Sequence, residues 1–334
     1  MGFPMRAKFG LSLSNRAVLF GWASPENLLE AAQLAEASGC FHGVWVGDNL
    51  LSKPRLEAIV TLSAIAARTR LVKLGTICLA SFPLRHPILL AIQWASLDVL
   101  AGGRTILSVC NGGSAQDGPQ FARELEVMGV KSHERVGRLV EGITLLRRLW
   151  SEARVTHQGK YYRCTEVALL PKPVQQPVPI LIAVNPKEER VDAATIDRTL
   201  RRVAAYADGW QTDATPVETF RRRFETIREY AARQGRDPST LDACLHLMVN
   251  INDDRERAYR EAETFLASYY GTGAVSRERT ELWLAYGPPD AVIAKIQAYL
   301  EAGCTTPVLR FVSPDLKGQL QRCITEVLPA FRVG

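Results

Sequence analysis

No stretch of this chain approaches the ~20 consecutive apolar residues that a membrane-crossing helix needs, and the opening MGFPMRAKFG carries no apolar run of a secretory signal. Both absences point to a cytoplasmic protein with no membrane partner. No basic block is interleaved with aromatics, which argues against nucleic acid as a partner. No H-x-H, H-E-x-x-H or cysteine cluster occurs, so no metal site is expected. G-x-S-x-G and a strand-borne G-x-G-x-x-G are also missing, which removes the usual hydrolase and dinucleotide signatures. No pair of carboxylates stands out, which disfavours a glycosidase. The seven cysteines (40, 78, 110, 164, 244, 304 and 323) are odd in number and never at C-x-x-C spacing. Several sit inside apolar runs, the pattern of reduced, packed thiols.

What is present is ordinary globular composition: 334 residues, 47% hydrophobic, 23% charged, with a formal charge of +6 spread over many arginines. Short apolar runs alternate with helical periodicity. The runs at 8–13, 41–46, 72–80, 105–110, 178–184, 209–212, 243–252 and 307–312 read as eight strands. Helices are expected after each. The first has Ser24 as cap, Pro25 at its first position and Gly39 past its end; later ones span about 56–68, 87–102, 134–151, 192–206, 216–234, 289–303 and 315–331. Residues 156–164 read as a small polar hairpin. Eight strand–helix units predict one domain over 1–334, a TIM (β/α)8 barrel; an open doubly wound sheet is the alternative. Two connections are longer than the pattern needs, 111–133 after the fourth strand and 253–287 after the seventh. The second is expected to act as a lid, with Gly271 and Gly273 as its flexible points.

A barrel builds its site from the C-terminal strand ends. Here those ends carry hydroxyls, amides and glycines but few metal ligands, among them Asp48, Asn49, Thr76, Ile77, Cys78, Asn111, Gly112, Ala183 and Asn185. Such a rim suits a large flat cofactor that brings its own chemistry. The stretch RTILSVCNGG (104–113) is typical: a buried strand that ends in small, polar and flexible residues. Its two glycines point either to a strand-to-loop turn or to a ligand lying close against the backbone.

The block LRHPILLAIQWASLDVLAGGRTILSVCNGG, with VTHQGKYYR…LLPKPVQQPVPILIA and YADGWQT downstream, resembles the bacterial luciferase-like flavin-dependent oxidoreductases. The resemblance runs in order from about residue 8 to 312 and implies the same barrel. It implies a flavin-dependent oxidoreductase, with a two-component monooxygenase using reduced FMN and O2 on a small organic substrate as the first reading. A separate flavin reductase and a homodimer come with that reading. Coenzyme F420-dependent hydride transfer is the alternative, and a non-catalytic flavin-binding protein the alternative of another class. By position, Asp48, Asn49, Cys110 and His157 are then the expected catalytic group. Asp48 fits the Asp-His pair favoured by the F420 enzymes, and Asn49 departs from it. Thr76, Ile77, Cys78, Asn111, Gly112, Ala183, Asn185 and Lys187 are the expected cofactor contacts, with a non-prolyl cis peptide at Ile77-Cys78. The Gly-Gly-Ser run that many members use for the cofactor phosphate is replaced by Ala183-Val184-Asn185-Pro186-Lys187, leaving Asn185, Lys187 or a helix N-terminus to take that role.

Overall fold

The computed structural model describes residues 7–271 and 275–331. Eleven strands occur among them: β1 (Gly10–Leu13), β2 (Gly43–Val46), β3 (Lys73–Thr76), β4 (Thr105–Val109), β5 (Val155–Gln158), β6 (Arg163–Val167), β7 (Ile180–Ala183), β8 (Gly209–Asp213), β9 (Asp242–Ile251), β10 (Leu284–Gly287) and β11 (Thr306–Phe311). The helices are α1 (Pro25–Ala37), α2 (Ala58–Arg68), α3 (Pro87–Leu100), α4 (Pro119–Val127), α5 (Arg135–Ser151), α6 (Ala193–Tyr206), α7 (Val217–Arg233), α8 (Arg255–Tyr270), α9 (Arg277–Trp283), α10 (Pro289–Glu301) and α11 (Leu316–Arg322). No helix among the described residues is long and apolar enough to cross a membrane.

Eight strands pair in parallel as β1-β2-β3-β4-β7-β8-β9-β11, and β11 returns to β1. The sheet therefore closes into a TIM barrel, as the alternation predicts. All eight expected strands are present, most of them shorter at one or both ends. β3 stops at Thr76, four residues before the end of its apolar run; the Ile77-Cys78 peptide is cis, and Leu79 rejoins the barrel through a bridge to Val109. α1 begins as its sequence predicts. Ser24 Oγ accepts from Asn27 N–H, and Asn27 Oδ1 accepts from Ser24 N–H, closing a capping box of the kind that contributes about 0.5–2 kcal/mol.

Side chains fill the barrel. Trp45 on β2 lies across the lower interior with Ile77, Leu181, Cys244 and Val308. A Cβ on Gly75, on the neighbouring strand, would collide with the indole, so the missing side chain is what admits the ring.

Two regions depart from the sequence reading. The connection 253–287 is more than a lid loop: it holds α8, α9 and β10, and β10 pairs with the C-terminal half of β9 through Met248, Val249, Asn250 and Ile251. β9 can serve β8, β11 and β10 because it is ten residues long, and its ends extend past different neighbours. Of the two proposed flexible points, Gly271 has φ 100° and caps α8, while Gly273 lies outside the described residues. The closing helix is shorter than expected. α11 ends at Arg322 and continues as a π turn and a 3-10 turn to Phe331.

Candidate active site

The C-terminal strand ends enclose a cavity of about 130 Å3 lined by Asp48, Asn49, Ile77, Cys78, Arg310 and, from α8, Tyr269 and Tyr270, among others. The loop after β2 supplies much of it. Asn49 Oδ1 accepts from Arg55 Nη2 at 3.2 Å, and Asn49 Nδ2 donates to Ser52 Oγ at 3.3 Å. Glu124 on α4 holds this loop in place: its carboxylate accepts from the N–H groups of Leu50, Leu51 and Ser52 and from Ser52 Oγ. The connection 111–133 is thus a clamp for the loop that carries Asn49 and Arg55. Glu124 is invisible to sequence reasoning, since its partners lie more than seventy residues away.

The turn after β4 answers the question its glycines raise. Gly112 has φ 69°, and a Cβ there would stand 2.7 Å from the carbonyl oxygen of Ala80. The strand-to-loop reading is the one seen here: a positive φ, with the close approach made by the chain's own backbone between the ends of β3 and β4. Arg135, at the start of α5, donates Nη1 to the carbonyls of Asn111, Gly112 and Gly113 at 3.2, 3.0 and 2.7 Å. Asn111 Oδ1 remains shielded from solvent with no hydrogen-bond partner.

Asp48 lines the cavity with its carboxylate already committed. Oδ2 accepts from Ser81 N–H at 2.8 Å and Oδ1 from Arg85 Nη2 at 3.1 Å. Its role is to hold the chain after the cis peptide. Thr76 is removed from the cavity: its hydroxyl donates to Ser108 O and accepts from Ser108 N–H, tying β3 to β4. His157 is not brought to the site either. It sits on the β5–β6 hairpin with Nε2 3.1 Å from Glu141 Oε1, and Glu141 also collects the N–H groups of residues 160–162. Cys110 is joined to Cys78 in a disulfide with Cα atoms 6.2 Å apart. This corrects the expectation of reduced, unpaired thiols at both positions, and Cys110 is no free nucleophile in this state. Spacing rules overlook the pair because thirty-two residues separate two thiols that adjacent strand ends bring together.

At the β7 end, Ala183 is half-buried, and Asn185 is engaged at both ends of its amide, Nδ2 to Asp213 and Oδ1 from Arg223 Nη1. It has little left to offer a phosphate. Lys187 remains as a rim cation, its pKa lowered by burial and by Arg279.

α8 brings the residues that sequence reasoning missed. Tyr269 Oη accepts from Arg55 Nη1 at 2.9 Å, and the guanidinium carbons of Arg16, Arg55 and Arg310 lie 5.4, 5.6 and 5.4 Å from its ring. Burial raises its phenol pKa, but Arg55, Arg310, Lys53 and Arg16 outweigh that and pull it down to about 8. Lys53 is itself pushed down to about 8, chiefly by burial. His246 on β9 is held neutral, first by burial and then by Arg310, and its Nε2 has no hydrogen-bond partner.

The family model described as luciferase-like monooxygenase matches residues 7–306. The chain belongs to the luciferase-like monooxygenase family. The F420-dependent glucose-6-phosphate dehydrogenase of Nakamurella multipartita is 29% identical, covering 98% of each chain. The F420-dependent hydroxymycolic acid dehydrogenase of Mycobacterium tuberculosis is also 29% identical, over 92% of this chain and 85% of its own. Among solved structures, an F420-dependent secondary alcohol dehydrogenase with an F420-acetone adduct superposes with a TM-score of 0.81 at 21% identity, over 98% of this chain and all of its own. A monooxygenase from Streptomyces bottropensis gives 0.79 at 24%, over 97% and all. This luciferase-like chain is accordingly an oxidoreductase on a TIM barrel.

Proposed function

We propose that this chain is a coenzyme F420-dependent oxidoreductase that passes a hydride between the deazaflavin and the carbinol or carbonyl carbon of a small substrate. This is the alternative of the sequence reading, and it replaces the FMN monooxygenase as the main one. End-to-end similarity to F420-dependent dehydrogenases supports it. The observation that carries it is Tyr269 at the cavity, with Oη bonded to Arg55 and its phenol pulled down by the surrounding cations. Hydride transfer from an alcohol needs one nearby group to take the hydroxyl proton. Asn49 cannot do so, and Asp48 is held by Arg85 and Ser81. A monooxygenase needs an apolar, dry pocket beside its reactive oxygen adduct, whereas three cationic side chains line this one.

The donor set fits the cofactor. Asn111 Oδ1 is an orphaned acceptor, and Gly112 keeps the β4 end free of side chain next to Ala80. Ile77, Cys78, Asn111 and Gly112 would hold the ring, with Lys187 and Arg279 toward the phosphate. Bound there, the deazaflavin supplies hydride acceptance and return. The chain's own residues do the rest. Arg55 steadies Tyr269 Oη in its deprotonated form, Tyr269 accepts the substrate hydroxyl proton and returns it in the reverse direction, and α8 limits water at the mouth.

Equilibrium titration with F420 and with FMN, followed by F420 reduction assays on a panel of secondary alcohols, tests the reading. F420 is expected to bind at least tenfold tighter. Preference for FMN together with substrate-dependent oxygen consumption would refute it.

A further inference from the structure

The cavity gathers more positive charge than its carboxylates neutralise. Asp48 is answered by Arg85, and Asp213 faces Asn185 and, at 3.7 Å, Arg279. Arg55, Arg310 and Lys53 form no ion pair among the described residues, and all three line the cavity. Arg310 is 2% exposed. Its guanidinium gives Nε and Nη2 to Ser12 Oγ at 3.1 and 2.9 Å, which leaves most of its five N–H groups unused by the protein. The tips of Arg55 and Arg310 converge on one place: a Cβ on Gly47 would meet Arg55 Nη1 and lie 3.7 Å from Arg310 Nη2. Lys53 Nζ rests on the ring of Tyr270 at 4.4 Å. One buried and two half-buried cations brought together with no carboxylate, and with at most the single negative charge of Tyr269 to offset them, are costly, and an anionic ligand removes that cost.

We infer that this cavity is an oxyanion subsite in which Arg310, Arg55 and Lys53 receive the carboxylate or phosphate of the substrate. The inference rests on the hydride-transfer reading for the word substrate, and it narrows the class to acidic hydroxy or oxo compounds. The anion is assigned to the substrate rather than to the cofactor for two reasons. Lys187 and Arg279 already offer cations on the β7 side, and the three residues here sit with Tyr269 and Asn49, where the carbinol would react.

The test uses the full chain without cofactor, with inorganic phosphate and acetate as separate probes to tell the two anion types apart. Calorimetry and the tyrosinate absorbance of Tyr269 are the readouts. At least one probe should bind saturably at one site and shift the tyrosinate step to higher pH, because it neutralises the cations that favour phenolate. Arg310→Met and Lys53→Met should each weaken that binding about tenfold or more, while F420 affinity stays within about twofold. Circular dichroism checks folding, and Lys53→Met, at the cavity wall, carries the test if the buried Arg310 variant does not fold. Absence of saturable binding to either probe overturns the inference, and so does binding unchanged in the folded variants. A tenfold loss of F420 affinity with phosphate and acetate unaffected also overturns it, by giving the cations to the cofactor. Loss of F420 binding by the wild-type chain while the anion still binds through Arg310 sinks the hydride-transfer reading alone and supports the subsite.

Discussion

Asp98 near the end of α3 and Gln175 before β7 are clasped through two hydrogen bonds: Asp98 Oδ2 accepts from Gln175 N–H at 3.0 Å and Oδ1 accepts from Gln175 Nε2 at 2.8 Å, while Oδ1 also accepts from Thr105 Oγ1 at 2.6 Å. These residues come from the two blocks, LDVLAGGR and PKPVQ, that carry the family resemblance. Arg104 of the first block spends its guanidinium on the carbonyls of Ala101, Val72 and Thr69. The most recognisable part of the chain is therefore a structural joint that knots α3, β4 and the approach to β7.

Asp98→Ala should then destabilise the fold without touching the site. It removes the acceptor of the Thr105 hydroxyl and of the half-buried Gln175 backbone N–H, while Gln175 Nε2 keeps Thr105 O, which costs about 2–4 kcal/mol at ~1.5–3 kcal/mol per hydrogen bond to a charged group, less relaxation. Thermal melts should show a clear drop in Tm, while F420 affinity at low temperature stays at the wild-type value.

Tyr269 gives a pH signature. Its folded pKa, about 8, lies below the ordinary phenol value near 10, so the phenolate is the form that folding favours. That contribution to stability is full above pH ~10 and is lost as the pH falls through about 8. Ultraviolet difference spectra should show one tyrosine ionising near pH 8 in the wild type and none there in Tyr269→Phe. Alcohol oxidation should rise toward the same pH, because phenolate is the proton acceptor. Tyr269→Phe should lower kcat by roughly 10²–10⁴-fold and flatten the profile, with F420 affinity retained.

The Cys78–Cys110 pair fixes a thiol count. Alkylation in denaturant should label two more cysteines with a reductant than without, and in Cys110→Ser that difference should vanish. The ends of β3 and β4 are held independently of the sulfurs, by Thr76 Oγ1 to Ser108 O at 2.7 Å and Leu79 N–H to Ser108 O at 2.7 Å. The Cys110→Ser protein should accordingly keep the wild-type circular dichroism spectrum.

Gly112→Ala combines a disfavoured φ with a contact 2.7 Å from Ala80 O. A cost of about 1–2 kcal/mol in stability is expected. F420 affinity should fall further than the melting temperature alone would suggest, because the turn that exposes Asn111 must move. Unchanged affinity would show that this turn does not touch the ring.

The sequence by itself determined the barrel. Apolar runs of strand length, helix caps such as Ser24 and the regular alternation of the two are local signals, set by residues one to four apart, and each reappears within a few residues of its expected place. It also located the rim, since strand ends follow from strands, and Asp48, Asn49, Ile77 and Cys78 do line the cavity. Tertiary structure alone decided what the rim can do. Asn49, Arg55, Tyr269 and Arg310 meet across more than two hundred and fifty positions of chain, His157 is claimed by Glu141, and Asn185 by Asp213 and Arg223. The physical reason is that periodicity encodes which face is buried, whereas the partner of a long charged or amide side chain depends on which groups closure of the barrel brings within about 3 Å.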